Sequence, residues 1–234
     1  MRQIILDTET TGFARKPKDP EDGHRIIEIG AVEIIDRRVT ANDYQTYLNP
    51  ERQIDPASIP VHGITDDYVS DKPKFSEVIN EFIDFIQGAE VIMHNASFDV
   101  GFINQELKLL GYEDRLGDIC QITDSLLIAR EKHPRQRNSL DALCSRYGVD
   151  TASRELHGAL IDAKLLANVY LSMTGGQASF FDTSYEEVQD NFTKHEFDFS
   201  KRKIIAVNSD ELEIKAHKDY LEKLSKASKK DLKW

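Results

Sequence analysis

Residues 4–12 read IILDTETTG, so three large aliphatic residues run directly into two acidic ones. Residues 2–7 have the composition of a buried strand, in which a carboxylate has no obvious place. Because side chains two apart on a strand leave the same face, Asp7 and Glu9 are expected to point the same way. Two like charges side by side raise the free energy unless a cation lies between them. A strand that ends in solvent before a turn at Thr11-Gly12 explains the pair equally well.

The hydrophobic pattern beyond this first strand predicts an α/β fold. After residues 2–7, strands are predicted at 24–35, 44–48, 90–95 and 118–122. Helices are predicted at 75–88, 98–110, 124–132, 139–147 and 159–172, where apolar residues recur at helical spacing. Strands that come first as a meander and then alternate with helices predict a mixed sheet with helices packed on its faces.

The composition is that of a globular protein outside the membrane. The chain has 234 residues, of which 40% are hydrophobic and 30% charged, enough for one domain with an appended segment. No apolar run approaches the roughly 18 residues of a membrane span, and Asp7 and Glu9 interrupt any secretory signal. A cytoplasmic location is therefore expected. Cys120 and Cys144 are too few and too far apart for a disulfide framework and are predicted to be reduced core thiols.

The charge distribution argues at first against a nucleic-acid ligand. The net charge is −11, with −10 over residues 1–181 and −1 over residues 182–234. A protein that binds phosphates directly usually carries a basic surface. Carboxylates that hold divalent cations would reconcile an acidic protein with an anionic substrate, because the cations bring positive charge to the phosphate.

Further carboxylates follow at positions where a fold of this kind would gather them. The segment MHNASFD puts Asp99 at the start of the helix after strand 90–95. If that strand lies parallel to the first, its carboxyl end brings Asp99 close to Asp7. The segment LHGALID puts His157 just before a helix and Asp162 in its second turn. Taken singly, either aspartate is equally a helix-start or solvated charge, and His157 a hydrogen-bonded loop residue.

Four carboxylates and one histidine together have the chemistry of a two-metal phosphodiesterase. Two hard cations about 4 Å apart can activate water, hold the scissile phosphate and stabilise the leaving oxygen. Histidine supplies a base that can exchange a proton near neutral pH.

These blocks, in this order, resemble the three motifs of the DEDD-type 3′-to-5′ exonucleases in their histidine-bearing subgroup. The blocks are LDTETTG, HNASFD and HGALIDA, and the resemblance covers residues 1–174. The intervening segments IIEIGAVE, VHGI, TDSL and NSLDALCSRY, with MTGGQ after the domain, are similar to the proofreading subunits of bacterial replicative DNA polymerases. The family implies a ribonuclease-H-like fold, a mixed β-sheet flanked by helices.

The resemblance also implies roles for the five chemical residues. Asp7 would bridge two divalent cations, Mg²⁺ or Mn²⁺, while Glu9 and Asp162 bind one of them. Asp99 would hold the second cation through waters. His157 would deprotonate the attacking water.

Substrate contacts are implied around the same motifs. The expected lining of the pocket for the terminal nucleotide consists of Thr8, Thr10, Thr11, Gly12, Asn95 and Phe98, with His62 of VHGI at the border of the cleft. Phe98 is equally well explained as a core residue, and His94 is expected to pack rather than to bind. Arg135 and Arg137 offer a phosphate contact, or simply form a solvated loop ahead of a helix cap.

The segment after the domain resembles a region that binds other proteins. We assign residues 175–200 to a linker whose pentapeptide 177–181, QASFF, is similar to the peptides by which bacterial replication proteins bind the sliding clamp. Gln177, Phe180 and Phe181 would make that contact. Residues 201–234 form an extended C-terminal tail that resembles the segment binding the polymerase catalytic subunit, and a small accessory subunit is a further partner that the resemblance allows.

The sequence as a whole is interpreted as an editing exonuclease that removes mispaired nucleotides from a DNA 3′ end. An RNA 3′-end trimming enzyme of the same family would use the same five residues, because the sugar is recognised elsewhere in the pocket. The C-terminal extension favours the DNA enzyme. A non-catalytic scaffold of the same fold is the third interpretation, and it would be expected to lack one of the five residues.

Overall fold

Five strands form one mixed sheet in the computed structural model, which describes residues 1–14, 21–151 and 156–175. They are β1 (Arg2–Thr10), β2 (Ile26–Ile35), β3 (Arg38–Tyr47), β4 (Glu90–Met93) and β5 (Gln121–Asp124). Their order across the sheet is β3-β2-β1-β4-β5. The first three strands are antiparallel neighbours, whereas β4 runs parallel to both β1 and β5. The mixed sheet predicted from the sequence is confirmed.

Helices connect and cover the strands. They are α1 (Ile59–His62), α2 (Asp66–Val69), α3 (Phe75–Ile86), α4 (Ala96–Leu109), α5 (Leu116–Ile119), α6 (Ser125–Lys132), α7 (Leu140–Tyr147) and α8 (Ala159–Thr174). The described part of the chain belongs to one compact unit. None of its helices combines the length and the apolar character that crossing a bilayer requires.

The two faces of β1 contribute to two separate cores, because successive side chains on a strand point to opposite sides. Ile4 and Leu6 pack with residues of α3 and α4. Ile5 packs on the other face with residues of α7 and α8. The alternation places Asp7 and Glu9 on the α8 side of the sheet, and Thr8 on the α4 side.

Element boundaries differ from the prediction where tertiary contacts override the local pattern. β3 begins at Arg38 rather than at 44. It is an edge strand whose first half is polar and exposed, so the hydrophobic pattern did not reveal that half. β4 ends at Met93 rather than at 95, since Asn95 has the left-handed φ of +69° and turns the chain into α4. β5 begins at Gln121, after the helical turn of α5.

Several sequence predictions concern residues that lie outside the described ranges. These are the linker beyond Gly175, the tail 201–234, and the proposed clamp-binding residues Gln177, Phe180 and Phe181. Cys120 and Cys144 are both buried free thiols, as expected.

Candidate active site

Strands β1 and β2 form the base of the candidate site. Asp7 pairs across the ladder with Gly30, and Glu9 with Glu28. Directly paired residues in a sheet project to the same face, so the carboxylates of Glu9 and Glu28 share one side. Asp7 and Glu9 are both half-buried. The shared face that the sequence predicted for Asp7 and Glu9 is present.

Helix α8 begins directly over this face. A Cβ atom on Gly30 would lie 2.1 Å from the backbone nitrogen of Leu160, closer than real atoms approach. Only glycine therefore allows α8 to lie this near to β2. Glu28, with 1% of its surface exposed, accepts a hydrogen bond at 3.1 Å from the backbone amide of Ala159, the first residue of α8. A negative charge at a helix start is favourable because the first amides of a helix lack partners.

The start of α8 and the loop before it place Asp162 and His157 in the site. Asp162 is the fourth residue of α8 and lies in the first turn, whereas the second turn was predicted. The Nδ1 atom of His157 lies 3.0 Å from Oδ2 of Asp162. The backbone amide of His157 donates to the carbonyl oxygen of Val61 in α1 at 3.0 Å. The short helix α1, which the sequence pattern did not predict, thus supports the histidine loop.

Helix α4 brings the fourth carboxylate. β4 runs parallel to β1, and α4 follows it immediately, so Asp99 in the first turn of α4 comes to the carboxyl end of β1. The hydroxyl of Thr8 donates to Oδ1 of Asp99 at 2.7 Å. Asp99 is buried. The parallel arrangement from which the sequence predicted this approach is confirmed.

The carboxylates interact strongly with one another. Burial raises the pKa of Asp7 well above its usual range, and the negative charges of Asp99, Glu9 and Asp162 raise it further. Burial raises the pKa of Asp99 to about 7, although the hydrogen bond from Thr8 opposes the shift. Both shifts favour the protonated acid, because a buried negative charge is costly unless a cation lies close to it.

The donor atoms suit a divalent metal. One ligand atom each from Glu9, His157 and Asp162 lie within 4.8 Å of one another. Asp7 is a further carboxylate near this group, because the negative charges of Glu9 and Asp162 both raise its pKa. Carboxylate oxygens are the ligands that hard cations such as Mg²⁺ prefer. A cation here would relieve the repulsion that raises the pKa of Asp7.

The threonines expected to line a nucleotide pocket use their hydroxyls inside the protein. Thr10 donates to the carbonyl oxygen of Gly12 at 3.0 Å. Thr11 is fully buried, and its hydroxyl accepts from the backbone amide of Arg25 at 3.1 Å. At Gly12, where φ is +141°, a Cβ atom would lie 2.7 Å from the Asp55 carboxylate. The group that lies close to Gly12 is therefore the Asp55 side chain of the protein itself.

The remaining predicted contacts divide between surface and interior. Asn95 is exposed at the start of α4. Phe98 is half-buried and packs on Phe102 with ring centroids 4.9 Å apart. His62 is buried, and its Nδ1 accepts from the backbone amide of Ile64 at 3.0 Å. His94 is half-buried and hydrogen-bonded through both ring nitrogens, in agreement with a packing role.

Three residues near the site were not singled out from the sequence. Glu28 and Gly30 position α8, and a charge within the apolar run IIEIGAVEII was the available signal for Glu28. Phe13 directly follows the first motif and is 54% exposed, and its ring lies edge-on to that of Phe98 with the centroids 6.4 Å apart. Nothing in the local sequence pattern distinguishes Phe13 from an ordinary loop residue.

Comparison with known proteins identifies the family of this chain. A family profile described as "Exonuclease" matches residues 4–170. The DNA polymerase III subunit epsilon of Pasteurella multocida is 51% identical, over all of this chain and 93% of that protein. The subunit of the same name from Escherichia coli K12 is 47% identical, over 96% of this chain and 94% of that protein.

Solved structures share the same fold. The nuclease domain of 3′hExo, described as a DEDDh family member bound to rAMP, superposes with a TM-score of 0.63 and is 24% identical, over 74% of this chain and 90% of that one. Exonuclease X in complex with 5′-overhanging duplex DNA has a TM-score of 0.57 and 25% identity, over 74% of this chain and 91% of that one. This fold implies divalent metal ions. The chain belongs to the exonuclease family and, within it, to the epsilon subunits of DNA polymerase III, which are proofreading 3′-to-5′ exonucleases.

Proposed function

We propose that this chain removes mispaired nucleotides from the 3′ end of DNA by two-metal hydrolysis, as a subunit of a replicative polymerase. The observation that carries the proposal is the convergence of Asp7, Glu9, Asp99 and Asp162 from three separate elements, where the charges of the last three raise the pKa of Asp7. Such a cluster is costly in a metal-free fold, and cost of this kind is concentrated at functional sites.

The four carboxylates hold two divalent cations, Mg²⁺ or Mn²⁺, in this proposal. Asp7, Glu9, Asp99 and Asp162 would hold the cations, and the charges of the other three acids already raise the pKa of Asp7. When bound, a cation pair activates water and stabilises the negative charge that develops on the leaving oxygen. Thr8 fixes the orientation of Asp99 through its hydroxyl, and Glu28 fixes the start of the helix that carries Asp162.

His157 is the proposed general base. An ionised carboxylate can only accept hydrogen bonds, so the contact with Asp162 requires the ring to carry its proton on Nδ1. The neutral ring then has its lone pair on Nε2, where it can take a proton from water. The side chain is 45% exposed, which leaves the ring open to the solvent that supplies the nucleophile.

The C-terminal part of the chain provides location in this proposal. Residues 1–174 form the exonuclease domain, and residues 175–200 are a linker that binds the sliding clamp through Gln177, Phe180 and Phe181. Residues 201–234 bind the polymerase catalytic subunit, and a small accessory subunit is a further partner. Replication in a bacterium puts the protein in the cytoplasm. The supporting fact is that the named relatives are subunits of DNA polymerase III and match nearly the whole chain.

The test compares three substrates with one enzyme. A DNA primer with a mispaired 3′ end should be shortened faster than a paired one, and faster than RNA of the same sequence, in Mg²⁺ or Mn²⁺. Asp7→Asn is the matched control, because it removes one charge at constant size and should abolish the reaction. Equal rates on DNA and RNA would refute the assignment to DNA editing, and full activity in excess EDTA would refute the metal mechanism.

A further inference from the structure

A cavity of about 580 Å³ lies beside the carboxyl end of β4, and Asn95, Arg130, Arg135 and Gln136 are among the residues that line it. These four residues define what we call the arginine groove. All four are exposed. Asn95 immediately precedes α4, whose first turn carries Asp99, so the groove adjoins the candidate active site.

The wall of the groove is held in place by hydrogen bonds. Nε2 of His94 lies 2.8 Å from the carbonyl oxygen of Asn138. Arg146 donates to the side-chain oxygen of Asn138 at 3.1 Å. Arg135 has a φ of +63°, a left-handed conformation that residues other than glycine adopt only when the surrounding structure imposes it. The position of Arg135 is therefore built into the fold.

The two arginines of the groove differ from others in this acidic chain. Arg25 forms a two-point pair with the buried carboxylate of Glu106, at 2.7 Å for each contact. Among the ion pairs formed by the residues that the structure describes, none involves Arg130 or Arg135. Their guanidinium groups thus remain available to an anion, and a guanidinium matches the geometry of a phosphate with two parallel donors.

We propose that the arginine groove binds the phosphodiester backbone of the DNA strand whose 3′ end is being hydrolysed. This inference rests on the proposed function. Asn95 and Asp99 are one helical turn apart, about 6 Å along the axis of α4. A strand that reaches the carboxylates can therefore cross the groove as well. The carboxylates of the site repel phosphates, and the groove supplies the positive charge that draws the strand towards them.

The experiment uses the full chain and two substrates that differ in the number of phosphates. One is a single-stranded DNA oligonucleotide, and the other is the 4-nitrophenyl ester of thymidine 5′-monophosphate, which has the scissile diester but no further backbone. The variant is Arg130→Gln combined with Arg135→Gln. Arg38→Gln is the matched control, because Arg38 is exposed on β3, at the opposite edge of the sheet from β5.

The double variant should lower kcat/KM on the oligonucleotide, relative to kcat/KM on the ester, by roughly tenfold or more, since contacts to charged groups are lost. The salt dependence of oligonucleotide binding should also weaken, by about 0.7 in the slope of log K against log salt for each phosphate contact removed. Arg38→Gln should change neither quantity.

An unchanged ratio and an unchanged salt slope in an active double variant would overturn the groove alone. A decrease of the same size on both substrates would also overturn it, because the substitutions would then act on the hydrolytic centre. A wild-type protein that cleaves neither substrate would overturn the proposed function, and this inference with it.

Discussion

The buried carboxylate of Glu28 accepts a hydrogen bond from the backbone amide of Ala159, which joins the second strand to the first residue of α8. The other oxygen of Glu28 accepts from the side chain of Gln45 at 2.8 Å. Glu28 therefore fixes the helix end that carries Asp162, although it lies 131 residues away in the chain. Its negative charge also adds to the repulsion at Asp7.

Replacing Glu28 should separate its hydrogen-bonding role from its charge. Glu28→Ala leaves the Ala159 amide and the Gln45 side chain without their acceptor, so the free energy of unfolding should fall by about 1–3 kcal/mol. Glu28→Gln keeps a carbonyl oxygen for the amide and should lose less stability. Urea unfolding measures both changes, and exonuclease rates should follow the same order. A Glu28→Ala protein as stable and active as wild type would contradict the role.

Gly30→Ala tests the close packing of α8 on β2. The added methyl group would overlap the backbone at Leu160, so α8 would have to move, and the Asp162 carboxylate would move with it. Overpacking of this kind costs about 1–3 kcal/mol of stability, and hydrolysis should fall more than 10-fold if the displaced Asp162 no longer binds metal. Gly117→Ala is the control, because among the described residues a Cβ atom there meets the Ile122 side chain alone, at an ordinary contact distance of 3.7 Å. Loss of activity in the control, or none in Gly30→Ala, would refute the interpretation.

The metal-free protein should become less stable as the pH rises. The pKa of Asp99 is about 7 in the folded protein and about 4 in an unfolded chain. Between these values the folded state binds more protons, so the free energy of unfolding falls with increasing pH over this window. Unfolding in EDTA at pH 5 and pH 7.5 measures the fall, which Asp99→Asn should reduce. Adding Mg²⁺ should stabilise the wild type more at pH 7.5, because protons no longer compete for the carboxylates.

His157→Ala should slow hydrolysis by about 10²–10⁴-fold, the usual contribution of a general base. Because the side chain is 45% exposed, its loss leaves little cavity, and the midpoint of urea unfolding should change little. Rates on single-stranded DNA and unfolding curves should be measured on the same preparation. If the variant keeps most of its rate, another group must accept the proton.

Truncation after Gly175 should separate hydrolysis from localisation. All five proposed chemical residues lie before that point, so single-stranded DNA should still be degraded at close to the full-length rate. Co-purification with the polymerase catalytic subunit should be lost, because the truncation removes the proposed binding segment. The tether that raises the effective concentration of the active site at the primer end is lost with it. Changing Gln177 and Phe181 to Ala in the full chain should weaken clamp binding alone. An inactive truncated domain would contradict the division.

The sequence determined the five strands, the longer helices and the side chains that share a face of the first strand. The apolar run before Asp7 predicted a buried strand, and its pattern predicted that Asp7 and Glu9 share a face. Asp99 was expected to approach Asp7 if the strand before it ran parallel to the first, and β4 does so. These inferences succeeded because they depend on periodicity within one element and on the geometry of neighbouring strands.

Only the tertiary structure decided which polar groups are used inside the protein and which remain for a ligand. The hydroxyls of Thr8 and Thr10 have internal acceptors, and His62 is buried. Glu28, one of two acidic residues in the apolar strand β2, holds the start of α8. The physical reason is that each of these outcomes depends on which element packs over the strand. Contacts between distant segments are set by the packing of the whole core rather than by any local pattern.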